Sequence, residues 1–362
     1  MFEAGKKAMA KLALTGGGRC NFTNTFAGVE RLEQAYPRGA VLMKRALRVF
    51  GQEDTLAWFA SEGIPYVVQD DHCVFPRSQD AMQVVRTLER LMRETGVRLL
   101  CGSKVEDLRT VLDGYDAVLL ASGGGAIRML DGMDISIEKP VPSLFTFNIE
   151  DAGLRSLMGV LAPGAVVGIA GTNFKAGGTL LVTDWGVSGP AVLKLSSYAA
   201  RHLSECGYRA PMVINWMGWN EQRARDFIAE AVAFCPKRMV ANVCPDDLSS
   251  RLWRHIISRA GLREDIVWAE LGAKGALRLA STLIADCYSI AGKCKFKAEF
   301  VTCGGVSLSE VNLSTLESRK YPGLFFAGEV LDIDAITGGF NLQAAWSTAM
   351  VASRSICSRL RG

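Results

Sequence analysis

Apolar and polar positions along the chain follow two different periods, and the changes of period divide it. Ala81, Val84, Val85, Leu88, Leu91 and Met92 recur at helical spacing behind Ser78-Gln79-Asp80, which predicts a helix capped at Ser78 and closed by Gly96. Val97 to Leu100, Lys104 to Leu108 and Tyr115 to Ala121 follow as strand candidates, the last running into the glycines 123–125. Near the other end, Leu324 to Ala327 is a short apolar run of the kind that forms a buried parallel strand. Gly328 ends that strand and Glu329 stands at its carboxyl end, where open α/β sheets bind ligands. Gly338 and Gly339 let the backbone approach a flat ring closely, and Asn341 opens a helix running to about Ser358. The start of such a helix offers free N–H groups and a positive dipole end to a negatively charged ligand.

Between these stretches the texture differs. Pro140, Pro142, Pro163, Pro190 and Pro211, with short apolar runs such as Leu144 to Ile149 and Thr179 to Thr183, predict an antiparallel or barrel-like module. From Glu221 to about Cys287 the pattern is helical, Asp246 to Ile257 being the clearest case, with Trp216, Trp219, Trp253 and Trp268 as packing anchors. After Lys297 the α/β texture returns. The expected organisation is a split α/β domain, residues 1–139 and 298–362, interrupted by an inserted β-barrel and helical domain at 140–297.

Composition narrows the classes. At 362 residues, 49% apolar and 22% charged, the chain has material for more than one core. No 18-residue apolar run and no leader-like N-terminus occur, so no membrane partner and a cytoplasmic location are expected. Ten scattered cysteines without a C-x-x-C pair read as reduced thiols, and three isolated histidines give no metal site. A net charge of +4 without a long basic run predicts a small-molecule substrate and no nucleic acid partner, and leaves oligomeric state open.

The N-terminal tract Gly16-Gly17-Gly18-Arg19-Cys20-Asn21 places backbone N–H groups beside a cation and an amide, a cradle for a phosphate or a flavin edge. Cys20 has no resolving cysteine nearby, which favours a structural or shielding role over thiol catalysis. With Val74 to Ser78, Ser122-Gly123-Gly124, Thr183 to Ala191, Val301 to Val306 and the run from Pro322 to Trp346, this tract resembles, in order, the motifs of the BaiN-type FAD/NAD(P)-dependent oxidoreductases, also called YhiN-like or aminoacetone oxidase family proteins. The resemblance implies a Rossmann-type FAD/NAD(P)-binding domain of the two-dinucleotide-binding kind, carrying the inserted barrel and helical domain. It implies FAD as cofactor, with NAD(P)H as a transient electron donor, since no second G-x-G-x-x-G is visible.

Carried over residue by residue, Gly328 and Glu329 lie along the pyrophosphate and ribityl chain, and Gly338, Gly339, Asn341 and Leu342 face the flavin. Gly17, Gly18, Arg19, Cys20 and Asn21 form a loop beside it, while Ser122 and Gly123 close the adenosine side. The family's acidic ribose-binding residue falls twelve positions before Thr15, on Glu3. The strand, G-x-G-x-x-G turn and helix that precede it in the family have no counterpart here, so about 30 residues of βαβ unit are expected to be missing, through a start-site error or a true deletion. A second gap follows Gly125. Two alternatives therefore stand beside an active oxidoreductase: a truncated, non-catalytic relative that binds FAD weakly or not at all, and a flavoprotein acting on RNA, for which no basic patch is evident in the sequence. No catalytic acid or base can be named; Arg19 is a candidate to polarise a carbonyl, Asp332 or Asp334 to donate a proton or cap a loop, and Asp184 or Ser188 to face the flavin, Ser188 otherwise capping the helix that starts at Gly189-Pro190.

Overall fold

The computed structural model describes residues 1–124, 127–294 and 301–361. Gly125 of the expected glycine turn and residues 297–300 of the expected return to α/β texture lie outside them. The chain divides into two compact units, Met1–Ser143 with Lys297–Gly362, and Leu144–Phe296.

In chain order the first unit opens with β1 (Phe2–Glu3), α1 (Ala10–Gly18), β2 (Thr23–Asn24), α2 (Leu32–Ala35), α3 (Ala40–Val49), α4 (Gln52–Ser61), β3 (Tyr66–Val68) and β4 (Cys73–Pro76). It continues with α5 (Ala81–Glu94), β5 (Leu100–Cys101), α6 (Arg109–Leu112), β6 (Val118–Leu120) and β7 (Ile137–Ser143). The second unit holds β8 (Phe147–Ile149), α7 (Ala152–Arg155), β9 (Leu161–Ala162), β10 (Val166–Ile169), β11 (Lys175–Gly177), β12 (Leu180–Val182) and β13 (Gly186–Ser188). After these come α8 (Pro190–Tyr198), α9 (Ala200–Glu205), β14 (Ala210–Asn215), α10 (Glu221–Phe234), α11 (Ser250–Arg259), α12 (Gly272–Ala285) and β15 (Asp286–Lys293). The chain returns to the first unit for β16 (Val301–Val306), β17 (Leu324–Phe326) and α13 (Phe340–Arg361).

The parallel character of the first unit is carried by two pairs. β1 runs alongside β5, with Phe2 opposite Leu100, and β17 runs alongside β6, with Leu324 opposite Val118. The fully buried β17 matches the apolar run that predicts it. Rings of Phe2 and Tyr115 meet edge to face at 6.2 Å. Two antiparallel pieces complete the unit: β7 with β16, and the three-stranded order β2-β4-β3. Pro140 and Pro142 therefore belong to a strand of the first unit. Its core gathers Leu12, Cys20, Phe22, Phe59, Val74 and Val84 from α1, β2's approach, α4, β4 and α5, with Leu342 and Trp346 of α13 packed against them.

Local chemistry moves several expected boundaries. Asp80, not Ser78, caps α5, its carboxylate accepting the Met82 N–H at 2.8 Å, while Ser78 Oγ accepts from Asp80 N. Lys104 to Leu108 is not a strand, because Asp107 accepts the Arg109 N–H at 2.9 Å and turns the chain into α6. Ser188 ends β13 and caps nothing; Gly189, at φ 92°, is the cap of α8, and a Cβ there would stand 2.6 Å from the Thr179 carbonyl.

The second unit is built on an eight-stranded antiparallel sheet, order β11-β10-β14-β15-β8-β13-β12-β9. Trp216, Trp253 and Trp268 are fully buried there, as packing anchors should be. Asp286 accepts from Arg259 at 2.8 Å, from Tyr288 Oη at 2.8 Å and from Trp216 Nε1 at 3.2 Å, and His255 Nε2 meets Tyr288 Oη at 2.9 Å. This network ties α11 to β15 and leaves His255 hydrogen-bonded, with burial holding its pKa below the ordinary imidazole value.

In the first unit the buried Asp334 carboxylate is clasped by Arg38 and accepts from Ser143 Oγ at 3.0 Å. Replacing Arg38 by Leu strands that carboxylate and is expected to cost about 3–5 kcal/mol in urea denaturation, most of it recovered in Arg38→Leu/Asp334→Leu. Burial already raises the Asp334 pKa. The folded state therefore holds its proton more tightly than the unfolded one, so the single variant regains stability as pH falls through the range above the unfolded value.

Candidate functional site

The tract 16–21 is the distorted end of α1. Thr15 leaves helical geometry at ψ 146°, Gly16 and Gly17 take φ 59° and 67°, and Gly18 follows at φ 83°. Gly16 is pressed against its surroundings, since a Cβ would stand 2.9 Å from Asn21 N and 3.2 Å from the Phe75 ring. Gly17 and Gly18 are different: no heavy atom lies within 4 Å of where their Cβ atoms would stand. Arg19 closes this open strip, its guanidinium 4.4 Å from the Phe75 ring centroid and its Nε donating to Gly16 O at 3.1 Å.

Cys20 and Asn21 turn inward. Cys20 is fully buried, and burial pushes its thiol up to about 11, so it is held protonated and shielded rather than poised as a nucleophile. The Asn21 amide, oriented as its neighbours require, donates to Thr23 O at 2.9 Å and accepts from Gly339 N at 3.2 Å. One end of the chain is thus stitched to the other. Asn24 Nδ2 adds a bond to Gly338 O at 3.0 Å, and Thr23 Oγ1 donates to Gln343 Oε1 at 2.5 Å.

This stitching changes the reason for Gly338 and Gly339. The backbone that approaches Gly339 is β2: a Cβ on Gly339, at φ 90°, would lie 2.2 Å from Thr23 O. Gly338, at φ 127°, would bring one to 3.0 Å from the Phe340 ring. The side chain of Asn341, a residue expected to face a ligand, grips its own loop, Oδ1 accepting from Ala335 N at 2.9 Å and Nδ2 donating to Ala335 O at 3.0 Å. Leu342 packs on the core cluster. Tyr36 Oη donates to Phe340 O at 2.9 Å, and its burial raises the phenol pKa well above the ordinary value.

A second group forms around Glu329. Its Oε1 accepts from Thr302 N and its Oε2 from Lys11 Nζ, each at 2.7 Å. Gly123, at φ 74°, lies against the same carboxylate, and a Cβ on Gly124 would collide with Thr302 at 2.3 Å. Gly328, at φ 72°, donates its N–H to Thr348 Oγ1 of α13 at 2.9 Å, and Ser122 is exposed. Glu3 joins neither group by any described contact: its Oε1 accepts from Gly5 N at 2.6 Å. Asp334 is buried and clasped by Arg38.

Sequence reasoning missed Lys11, Thr23, Asn24 and Gln343. Only Gln343, Ser347 and Thr348 carry a visible signal, polar residues at helical spacing on the buried side of α13.

A model of the HI0933-like protein Rossmann domain matches residues 1–355. The chain belongs to the HI0933-like family. Its resemblance to BaiN/YhiN-type enzymes is thereby borne out, and with it a Rossmann-type fold and membership of a family of FAD-dependent oxidoreductases. This HI0933-like chain is similar to the 3-dehydro-bile acid delta(4,6)-reductase of Clostridium scindens, at 28% identity over 379 residues, 98% of this chain and 90% of the relative. It is also similar to proteins named ribosomal RNA dihydrouridine synthase. The one from Haemophilus influenzae is 27% identical, covering 98% of this chain and 92% of the relative, and the one from Escherichia coli is 27% identical, covering 98% and 91%.

Those two names overturn the exclusion of nucleic acid drawn from net charge. A value of +4 averages 41 basic and 37 acidic side chains over the whole chain and says nothing of how they are distributed, which is what a phosphate backbone responds to. Among the described residues no helix is long and apolar enough to cross a membrane, and no group of three His, Cys, Asp or Glu is placed to hold a metal ion.

The two kinds of glycine in this HI0933-like site are separable by substitution. Gly339→Ala is expected to cost about 3 kcal/mol or more, because backbone must move, whereas Gly17→Ala costs only the left-handed penalty of about 1–2 kcal/mol; guanidinium denaturation of both variants checks this. In native protein near pH 8, iodoacetamide is expected to label the exposed Cys101, Cys206, Cys287 and Cys357 and to spare Cys20 until denaturant is added, as read by peptide mass spectrometry.

Proposed function

We propose that this chain binds FAD in its first unit and reduces a carbon–carbon double bond conjugated to a carbonyl, with a uracil base in RNA as substrate and NAD(P)H as electron donor. The observation that carries the reading is the open left-handed strip Gly17-Gly18 beside the Arg19 guanidinium, held against the start of α13 through Asn21 and Gly339. Such a strip admits the edge of a flat ring where any side chain would fill the space.

The relatives' names share one chemistry. Making dihydrouridine saturates the uracil double bond next to its carbonyl, and a delta(4,6)-reductase of a 3-dehydro steroid saturates a double bond conjugated to a ketone. In either reaction the substrate gains a hydride equivalent and a proton; in the reading proposed for this chain the electrons come from NAD(P)H. Bound FAD supplies the two-electron exchange. Two of the three relatives named here are RNA enzymes, which favours uracil over the steroid.

The residues' parts follow from their placement. The N–H groups of Gly17 and Gly18 and the Arg19 cation bind the electron-rich edge of the ring. Glu329, fixed at both oxygens, accepts from a ribityl or ribose hydroxyl, and Lys11 beside it offsets phosphate charge. Gly123 and Gly328 keep the dinucleotide's path clear of side chains, and Ser122 and Glu3 serve its adenosine end. Cys20, Asn21, Gly338, Gly339, Asn341 and Leu342 shape the seat from behind.

Purified protein titrated with FAD is expected to show the flavin band and to bleach anaerobically with NADPH. Arg19→Gln is expected to weaken FAD binding about tenfold, or ~1.4 kcal/mol. Ribosomal RNA incubated with the reduced protein is expected to gain two hydrogens at a uridine by mass spectrometry. Flavin reduction with turnover of a steroid dienone alone would overturn uracil as substrate and keep the shared chemistry; absence of flavin binding would overturn the whole reading.

A further inference from the structure

We infer that the outer faces of α3 and α13 form the tract that holds the phosphate backbone of the RNA; the inference rests on the RNA reading above and adds where that RNA lies. Neither helix contains an Asp or Glu. α3 presents Lys44, Arg45 and Arg48 at helical spacing on one exposed face, and the last turns of α13 present Arg354 and Arg361, also exposed. Among the described residues no carboxylate pairs with any of these five, in contrast to Arg359, which is bonded to Glu317 at 3.0 Å.

The two helices are joined where the charges meet. Ser347 Oγ donates to Phe50 O at 2.7 Å, Gln343 Nε2 to the same carbonyl at 3.4 Å, and Arg354 Nη1 to Val49 O at 3.3 Å. All three contacts fall at the C-terminal end of α3, and the last sets Arg354 against the residue that follows Arg48. Along one face of α13, Met350, Ser353, Arg354, Cys357, Ser358 and Arg361 line a shallow, open surface. Arginines flanked by hydroxyls suit phosphate oxygens, which take bidentate donation from a guanidinium and single bonds from serine.

Scale and direction agree with a polynucleotide. From Asn341 to Arg354 the helix rises about 20 Å, and from Asn341 to Arg361 about 30 Å. A strand carries one phosphate per ~3.4 Å of duplex axis, so the tract spans several phosphates at once. α13, which carries Arg354 and Arg361, starts at the glycine seat, so RNA bound along it leads towards the candidate redox site. An unpaired or extruded uridine several nucleotides from the anchored phosphates is the base that reaches it.

The test uses the full chain and a fluorescein-labelled ribosomal RNA hairpin, with anisotropy measured over a range of salt concentrations. The variant Lys44→Gln/Arg45→Gln/Arg48→Gln/Arg354→Gln/Arg361→Gln is compared with a control of equal kind in the second unit, Lys237→Gln/Arg254→Gln/Lys274→Gln. Each lost phosphate contact removes roughly 0.7–0.9 from the slope of log affinity against log salt. The tract variant is expected to lose about 3.5–4.5 in slope and on the order of a hundredfold or more in affinity at 0.1 M salt, with circular dichroism and thermal midpoint retained and the control unchanged. Equal slopes for wild type and tract variant, with dihydrouridine still formed, would overturn the tract and leave the RNA reading standing. No RNA binding by wild type, or binding of an acidic peptide or anionic vesicles in its place, would overturn both.

Discussion

The Thr23 carbonyl passes so close to Gly339 that no side chain can stand there, and the first unit is arranged around that crossing. Asn21 reaches over it to the Gly339 N–H, Asn24 fixes Gly338, and Thr23 itself anchors Gln343 in the first turn of α13. Residues more than 300 positions apart are thereby held within hydrogen-bond distance. The strip Gly17-Gly18 is presented at the surface because its neighbours Gly16, Cys20 and Asn21 are fixed from beneath. The strip is fixed by hydrogen bonds on its inner side and open on its outer side, which under the function proposed would let a cofactor bind with little reorganisation.

Much of this was legible in the sequence. The buried strand Leu324–Phe326, the helix that follows the double glycine, the stripe of α5 and the glycine tract before Asn21 all announce themselves by spacing. Permissive residues were easier to find than the reasons for them. A double glycine states that a side chain is absent, but whether ligand or backbone fills the space depends on β2, which is distant in sequence. Asn341 shows the same limit, since an asparagine at a helix start serves its own loop as readily as a ligand. Lys11 carried no signal because its partner Glu329 is 318 positions away. Net charge misled for a physical reason: it sums acid-bearing helices such as α4 and α10 with acid-free ones such as α3 and α13.

The function proposed combines a general cofactor chemistry with local surfaces. The HI0933-like relatives act, by name, on substrates as different as a bile acid and ribosomal RNA, while the double bond beside a carbonyl is common to both. Substrate choice then lies in what the surface outside the redox seat can hold. A steroid asks for an apolar slot; RNA asks for distributed positive charge over tens of ångströms. The carboxylate-free faces of α3 and α13 meet the second demand.

The central claim is that the strip at 16–21 and the start of α13 form one flavin seat, held together by the Asn21 and Gly339 crossing. Hydrogen exchange read by mass spectrometry, with and without saturating FAD, tests it most directly. Peptides covering residues 15–22 and 335–343 are expected to slow together and to the same extent as FAD is titrated. Slowing confined to other segments, with both of these unchanged, would contradict the account.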